Sequence, residues 1–169
     1  MFQDIKSKLI PIFGDNLVAV EHIGSTSVPG MLAKPQIDIL VMVKNIEAVK
    51  AIYPQMVSIG FTPRGDYIEQ QEESFLLTDS SGKRLYSIHT MQQDNPHATM
   101  YIVFRDYLRS HEAARKQYIA KKLQLHKLYG ASDYNAYDFG KEELLRELKA
   151  DARSWYEALP SKRPGDLRR

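Results

Sequence analysis

Apolar residues recur at helical spacing near the start of the chain, gather into short β-branched runs through its middle, and return to helical spacing after residue 96. Ile5, Leu9, Ile12 and Phe13 share one helical face, which predicts a first helix over about Asp4 to Phe13, stopped by Gly14 and distorted in its last turn by Pro11. Leu17 to Ile23 predicts a strand, and Gln36 to Val43 a second that is too apolar for a solvated edge. Asn45 is placed to cap a helix running to about Ser58, because Ile46, Val49, Ile52, Tyr53 and Met56 keep helical spacing and Gly60 follows. Phe61 to Gly65, Ser74 to Thr78 and Arg84 to Met91 predict three further strands, the last two joined by a tight turn at Asp79 to Gly82.

From Pro96 onward the pattern is helical. Met100, Val103, Phe104, Tyr107 and Leu108 form one apolar stripe, and Leu145, Leu148, Ala152, Trp155 and Leu159 form another. Between them a helix over Glu112 to Tyr129 stops at Gly130. The outline α-β-β-α-β-β-β-α-α-α predicts an α/β (α+β) fold, a mixed sheet with flanking helices and a helical C-terminal cap. A single domain is expected over residues 1–160, with 161–169 as a basic flexible tail containing Pro164 and Gly165.

Composition narrows the classes. The 169 residues are 43% hydrophobic and 26% charged, which excludes disorder for the chain as a whole. A chain of this length buries about 70% of its unfolded surface, enough for one core without staples. The absence of cysteine excludes thiolate zinc sites, iron–sulfur clusters, cysteine nucleophiles and disulfides. No cationic start leads into an apolar leader segment, and no apolar run approaches the roughly 20 residues of a membrane span, so a soluble, cytoplasmic protein without a membrane partner is expected. The net charge of +2 is uneven, with 8 Lys/Arg against 11 Asp/Glu before residue 96 and 15 against 10 after it. Arg115, Lys116, Lys121, Lys122 and Lys127 read better as a solvated helix face than as a polyanion surface, since the pI of 8.7 falls below the usual footprint of nucleic-acid binding. No nucleic-acid partner is expected.

The chemistry concentrates in His22-Ile-Gly-Ser-Thr-Ser-Val-Pro-Gly30 and Lys34-Pro-Gln-Ile-Asp-Ile-Leu-Val41. A Gly24-Ser25 turn at a strand end lets the backbone approach a phosphate closely, with hydroxyls on Ser25, Thr26 and Ser27 to donate to its oxygens. The same residues also suit a plain polar cap for a short helix through about Ala33. Asp38 on the next strand can hold Mg²⁺ or Mn²⁺ against a triphosphate, whereas the alternative is a structural bond to Ser25, Ser27 or a backbone N–H. Its apolar neighbours Ile37, Ile39 and Val41 make an unpaired carboxylate costly there. Lys34 and Arg105 are the candidates for neutralising phosphate charge, against a solvated loop lysine and an Arg105–Asp106 ion pair.

These two motifs, with Phe104-Arg-Asp-Tyr-Leu-Arg-Ser-His111 and the pair Tyr137 and Lys141, resemble the GrpB family over about Asp15 to Leu159. The family is assigned to the nucleotidyltransferase superfamily, so the resemblance implies a nucleotidyltransferase-like fold, and such a domain also occurs fused to some bacterial dephospho-CoA kinases as an accessory module. Active nucleotidyltransferases carry a second carboxylate two residues after the first, to share two metal ions about 3.5–4 Å apart. Here that position is Leu40. Relatives also tend to carry His-Xaa-His on a later strand, where this chain has Ser87-Ile-His89, so Asp38 with His89 could bind one divalent ion, the alternative for His89 being a hydrogen-bonded core residue. An imidazole ligand would extend the choice to Zn, Fe or Ni. The implied activity is metal-dependent transfer of a nucleoside monophosphate from an NTP to an unspecified acceptor. For that activity Glu21, Glu73 or Asp79 could supply the absent ligand from a neighbouring strand; the alternative is a non-catalytic nucleotide- or phosphate-binding accessory module that keeps the fold without the full two-metal site.

Overall fold

The computed structural model describes residues 1–65, 71–129 and 133–160. Along the chain lie α1 (Phe2–Phe13), β1 (Leu17–Ile23), β2 (Ile37–Val43), α2 (Tyr53–Ser58), β3 (Thr62–Gly65), β4 (Glu72–Thr78), β5 (Arg84–Gln92), α3 (Pro96–Ser110), α4 (Glu112–Tyr129), α5 (Tyr134–Phe139) and α6 (Glu142–Glu157). They form two compact units, one of Met1–Ser27 with Ala33–Tyr101 and one of Val28–Leu32 with the chain from Ile102 onward. The expected tail and the Gly130 stop lie outside the described residues.

The first unit is built on a five-stranded sheet in the order β1-β2-β5-β4-β3. Only β2 and β5 run parallel; the other neighbours are antiparallel. Register partners share a sheet face and alternate residues change face, so the two faces differ sharply in chemistry. One carries Val20, Ile37, Ile39, Val41, Phe75 and Ile88, packed with Leu9 and Phe13 of α1 and with Val49, Met56 and Phe61 into the hydrophobic core. The other carries Asp38, Leu40, Glu72, Ser74, Ser87 and His89.

The helix expected over Asn45 to Ser58 is two pieces. Asn45 does cap it, its Oδ1 accepting from the Glu47 N–H at 3.0 Å, but Glu47–Ile52 is a 3₁₀ turn and only Tyr53–Ser58 is α-helical. Pro54 is the cause. It has no N–H to donate and its ring crowds the carbonyl one turn back, so the α-helix restarts with proline in its first turn. In the second unit α5 is an element that the apolar spacing did not predict; Asp133 caps it by accepting from the Ala136 N–H at 2.9 Å. Tyr107 stacks on His111 at 4.1 Å between ring centroids, with Trp155 of α6 at 5.8 and 5.4 Å from the two rings. Lys122, expected on a solvated face, is buried instead, where its Nζ donates to the Leu32 carbonyl at 2.9 Å and lies 4.8 Å from the Tyr118 ring centroid.

The β4–β5 hairpin turns on Asp79, whose Oδ1 accepts from the Ser81 hydroxyl at 2.6 Å and from the N–H groups of Ser81 and Lys83 at 2.9 and 3.0 Å. The Ser81 hydroxyl, followed by the backbone N–H groups, holds the Asp79 carboxyl below the ordinary carboxylate range. A depressed folded pKa stabilises the turn above the unfolded value and loses that stabilisation as pH falls through the folded one. Asp79→Ala is expected to lower Tm at neutral pH and to lose less Tm than the parent on acidification below about pH 4, read by thermal melts across pH.

Candidate functional site

Strand β1 ends where Ile23 pairs with Asp38 at the start of β2, and the chain leaves the sheet through Gly24 directly against the Asp38 side chain. Gly24 has φ +69°, which L side chains rarely adopt. A Cβ added there would overlap Asp38 Oδ2 and stand 3.0 Å from the Asp38 Cβ and Cγ. Glycine is thus required twice, by the backbone and by the carboxylate beneath it. The Gly24 turn and Asp38 meet at the same end of β1 and β2.

Hydrogen bonds hold this arrangement. The Ser27 hydroxyl and N–H both donate to the Gly24 carbonyl, at 2.6 and 3.2 Å, closing Ser25–Ser27 into a 3₁₀ turn in place of a helix reaching Ala33. The Thr26 hydroxyl donates to the Gln36 carbonyl at 3.0 Å, and the Gln36 amide Nε2 donates to Asp38 Oδ1 at 2.7 Å. His22 Nε2 lies 3.0 Å from Thr26 Oγ1. Since the Thr26 proton is committed to Gln36, His22 must be the donor in that contact. The protons of Thr26 and Ser27 are therefore spent on shaping the loop. Asp38 thus accepts a bond from the side chain of Gln36, two residues before it on the chain.

Lys34 is exposed at the foot of the loop, with its carbonyl accepting from the Gln36 N–H at 2.7 Å across Pro35. His89 shares the Asp38 face, its register partner on β2 being Leu40, while Ser87 stands beside Asp38. The His89 Nδ1 lies 2.7 Å from Glu72 Oε1, and both residues are buried. The strand begins two residues before Ser74, the expected start, so Glu72 is a site residue that the apolar pattern does not single out; its place two residues before Ser74 in a polar alternation is the available signal. Of the carboxylates expected to restore a full site, Glu21 lies on the Asp38 face beside Leu40. Glu73 points to the core face, where the Tyr53 hydroxyl and Lys50 meet it. Asp79 is committed to its hairpin.

In the second unit Arg105 is buried and grips Asp106 through Nε to Oδ1 at 2.7 Å and Nη2 to Oδ2 at 3.1 Å. The two-pronged bond is the structural pairing weighed against a phosphate role. Lys141 pairs with Asp138 at 2.5 Å and lies 4.4 Å from the Tyr137 ring centroid. Among the described residues no three His, Asp or Glu side chains form a ready cation cage. Asp38 in its glycine cradle suits one cation shared with substrate oxygens, and Leu40 leaves no second carboxylate on the strand for a pair of ions.

The GrpB family model, described as GrpB protein, matches residues 1–151. The chain is 38% identical over 154 residues to UPF0157 protein YqkA of Bacillus subtilis (strain 168), a match covering 91% of this chain and 44% of that protein. It thus spans less than half the length of that relative. A dephospho-CoA kinase of Mycobacterium tuberculosis (strain ATCC 25618 / H37Rv) is 28% identical over 133 residues, covering 64% of this chain and 32% of the kinase. Among solved structures, the conserved protein GrpB from Enterococcus faecalis superposes with a TM-score of 0.86 at 30% identity, over 92% of each chain. Cid1, described by its RNA terminal uridylyl transferase activity, superposes with a TM-score of 0.52 at 11% identity over 75% of this chain and 38% of its own, a likeness of fold. No described helix is long and apolar enough to cross a membrane.

The cradle makes a direct prediction. Gly24→Ala should destabilise the protein by about 2–4 kcal/mol, combining the left-handed strain with an overpacked contact. Adding Asp38→Ala should recover part of that loss, because the overlapping oxygen is gone. Denaturant melts of the two single variants and the double variant measure the coupling.

Proposed function

The chain belongs to the GrpB family, and from that premise we propose that it is a metal-dependent nucleotidyltransferase that moves a nucleoside monophosphate from an NTP to an acceptor. The observation that supports this reading most is the Gly24 turn set against Asp38. In this reading the backbone N–H groups of the turn, with Ser25, receive the triphosphate, since a loop without Cβ bulk at Gly24 admits phosphate oxygens to within hydrogen-bond distance. Asp38 holds a divalent cation, Mg²⁺ or Mn²⁺, which when bound offsets phosphate charge and polarises the reacting phosphoryl group. Gln36 fixes the Asp38 carboxylate through its amide, leaving Oδ2 against the turn. Lys34, exposed at the foot of the loop, adds positive charge for the phosphates.

A second reading has its own support. Leu40 stands where a second carboxylate would share two ions, and the similarity to the mycobacterial dephospho-CoA kinase covers 32% of that protein. Both suit a nucleotide-binding accessory module that retains the turn without completing the chemistry.

Thermal shift and calorimetry separate these readings. An NTP with Mg²⁺ or Mn²⁺ at about 100 times Kd should stabilise the protein by about 2.7 kcal/mol, and Gly24→Val should abolish the shift. Asp38→Asn should remove the metal-dependent part of that gain while folding as stably as the parent or more so, as expected of a site carboxylate. Absence of both heat and shift with all four NTPs would reject nucleotide binding altogether. A shift unaccompanied by pyrophosphate release would select the accessory reading.

A further inference from the structure

The polar sheet face holds one group that the phosphate-binding reading does not use. Glu72 is 1% exposed, and its Oε1 meets His89 Nδ1 at 2.7 Å while its Oε2 is buried with no hydrogen-bond partner among the described residues. A buried carboxylate with one oxygen orphaned calls for positive charge nearby. Among the described residues the neighbour bonded to Glu72 is the His89 imidazole, through Nδ1, so that its Nε2 is not engaged by Glu72. That imidazole stands at an informative position, because the register partner of His89 is Leu40, the residue occupying the place of the absent second carboxylate. A donor missing from β2 is thus offered from β5, one strand over and on the same face as Asp38.

We propose that Glu72 is a positioning residue that accepts the Nδ1 proton of His89 and so presents the Nε2 lone pair to a divalent transition-metal ion shared with Asp38. The ion class follows from the donors. One imidazole and one carboxylate favour Mn²⁺, Co²⁺ or Zn²⁺ over Mg²⁺, which prefers an all-oxygen shell. A carboxylate behind the imidazole fixes its tautomer and raises its basicity as a ligand. A cation on His89 would also offset the buried charge of Glu72, which gives the orphaned Oε2 its reason. Water or phosphate oxygens complete the coordination, consistent with only two protein donors. The inference rests on the reading of Asp38 as a cation ligand and is independent of whether an NTP binds.

The test uses the full chain titrated with Co²⁺, Zn²⁺, Mn²⁺ and Mg²⁺ separately, by calorimetry and, for Co²⁺, by visible absorption. The parent should bind Co²⁺ or Zn²⁺ at least about tenfold more tightly than Mg²⁺, and Co²⁺ should give ligand-field bands. Glu72→Gln should weaken binding about 10–100-fold, and His89→Asn should remove the bands. A parent that binds no transition metal, or binding that survives unchanged in folded Glu72→Gln or His89→Asn, would overturn the proposal. If Glu72→Gln does not fold, long-range ¹H–¹⁵N correlations on the parent decide: a proton on Nδ1 and a bare Nε2 support it, and the opposite tautomer overturns it. Co²⁺ bands without any NTP-induced shift would leave this inference standing while removing the transferase reading.

Discussion

Strand β1 must leave the sheet directly above the side chain of its last register partner, and only a residue without a Cβ, in a left-handed conformation, can make that exit. Gly24 meets both demands, and its contact with Asp38 ties the geometry of the loop to the position of the carboxylate. The rest of the edge follows from this. Ser27 closes the turn onto the Gly24 carbonyl, Thr26 fastens it to β2 through Gln36, and the Gln36 side chain orients Asp38 in return. Turn and carboxylate cannot move separately, so any ligand that contacts one is positioned relative to the other.

The division of the sheet into an apolar and a polar face explains how the fold tolerates such a cluster. Seating α1 and the segment around Met56 against Val20, Ile39, Val41, Phe75 and Ile88 leaves the core on one side. The opposite face is then free to carry Asp38, Glu72, Ser74, Ser87 and His89, groups whose burial opposes folding unless each finds a partner. The His89–Glu72 bond meets part of that demand, and Oε2 of Glu72, without a partner among the described residues, marks where it is not met.

Most of this architecture was legible in the residues. Leu17–Ile23 is a strand at the bounds its apolar run predicted, and Ile37–Val43 begins one residue later than expected. The helix Glu112–Tyr129 also runs over the predicted residues. What escaped has physical causes. Pro54 interrupts a spacing that is otherwise helical, which periodicity alone does not register. The six-residue α5 is too short to show a stripe, and Asp133 was its available signal. Glu72 lies inward on a polar sheet face, so the alternation that identifies a strand by its hydrophobic side gave it no weight. Likewise Lys122 looks like one more cation on a basic helix until the Leu32 carbonyl is seen to receive it.

The strand order has a consequence for how the molecule comes into being. β5 follows the other four described strands of this sheet along the chain, yet it lies in the middle of the sheet, between β2 and β4. Until Arg84–Gln92 is available, β1–β2 and β3–β4 exist only as separate two-stranded ribbons, which are marginal in water on their own. The parallel pairing of β2 with β5 closes a long stretch of chain, a slow and non-local step. Asp38 acquires Ser87 as its neighbour and Glu72 acquires His89 in that same event. The two halves of the polar face, Asp38 on one ribbon and Glu72 on the other, are therefore joined only when that single strand is inserted between them.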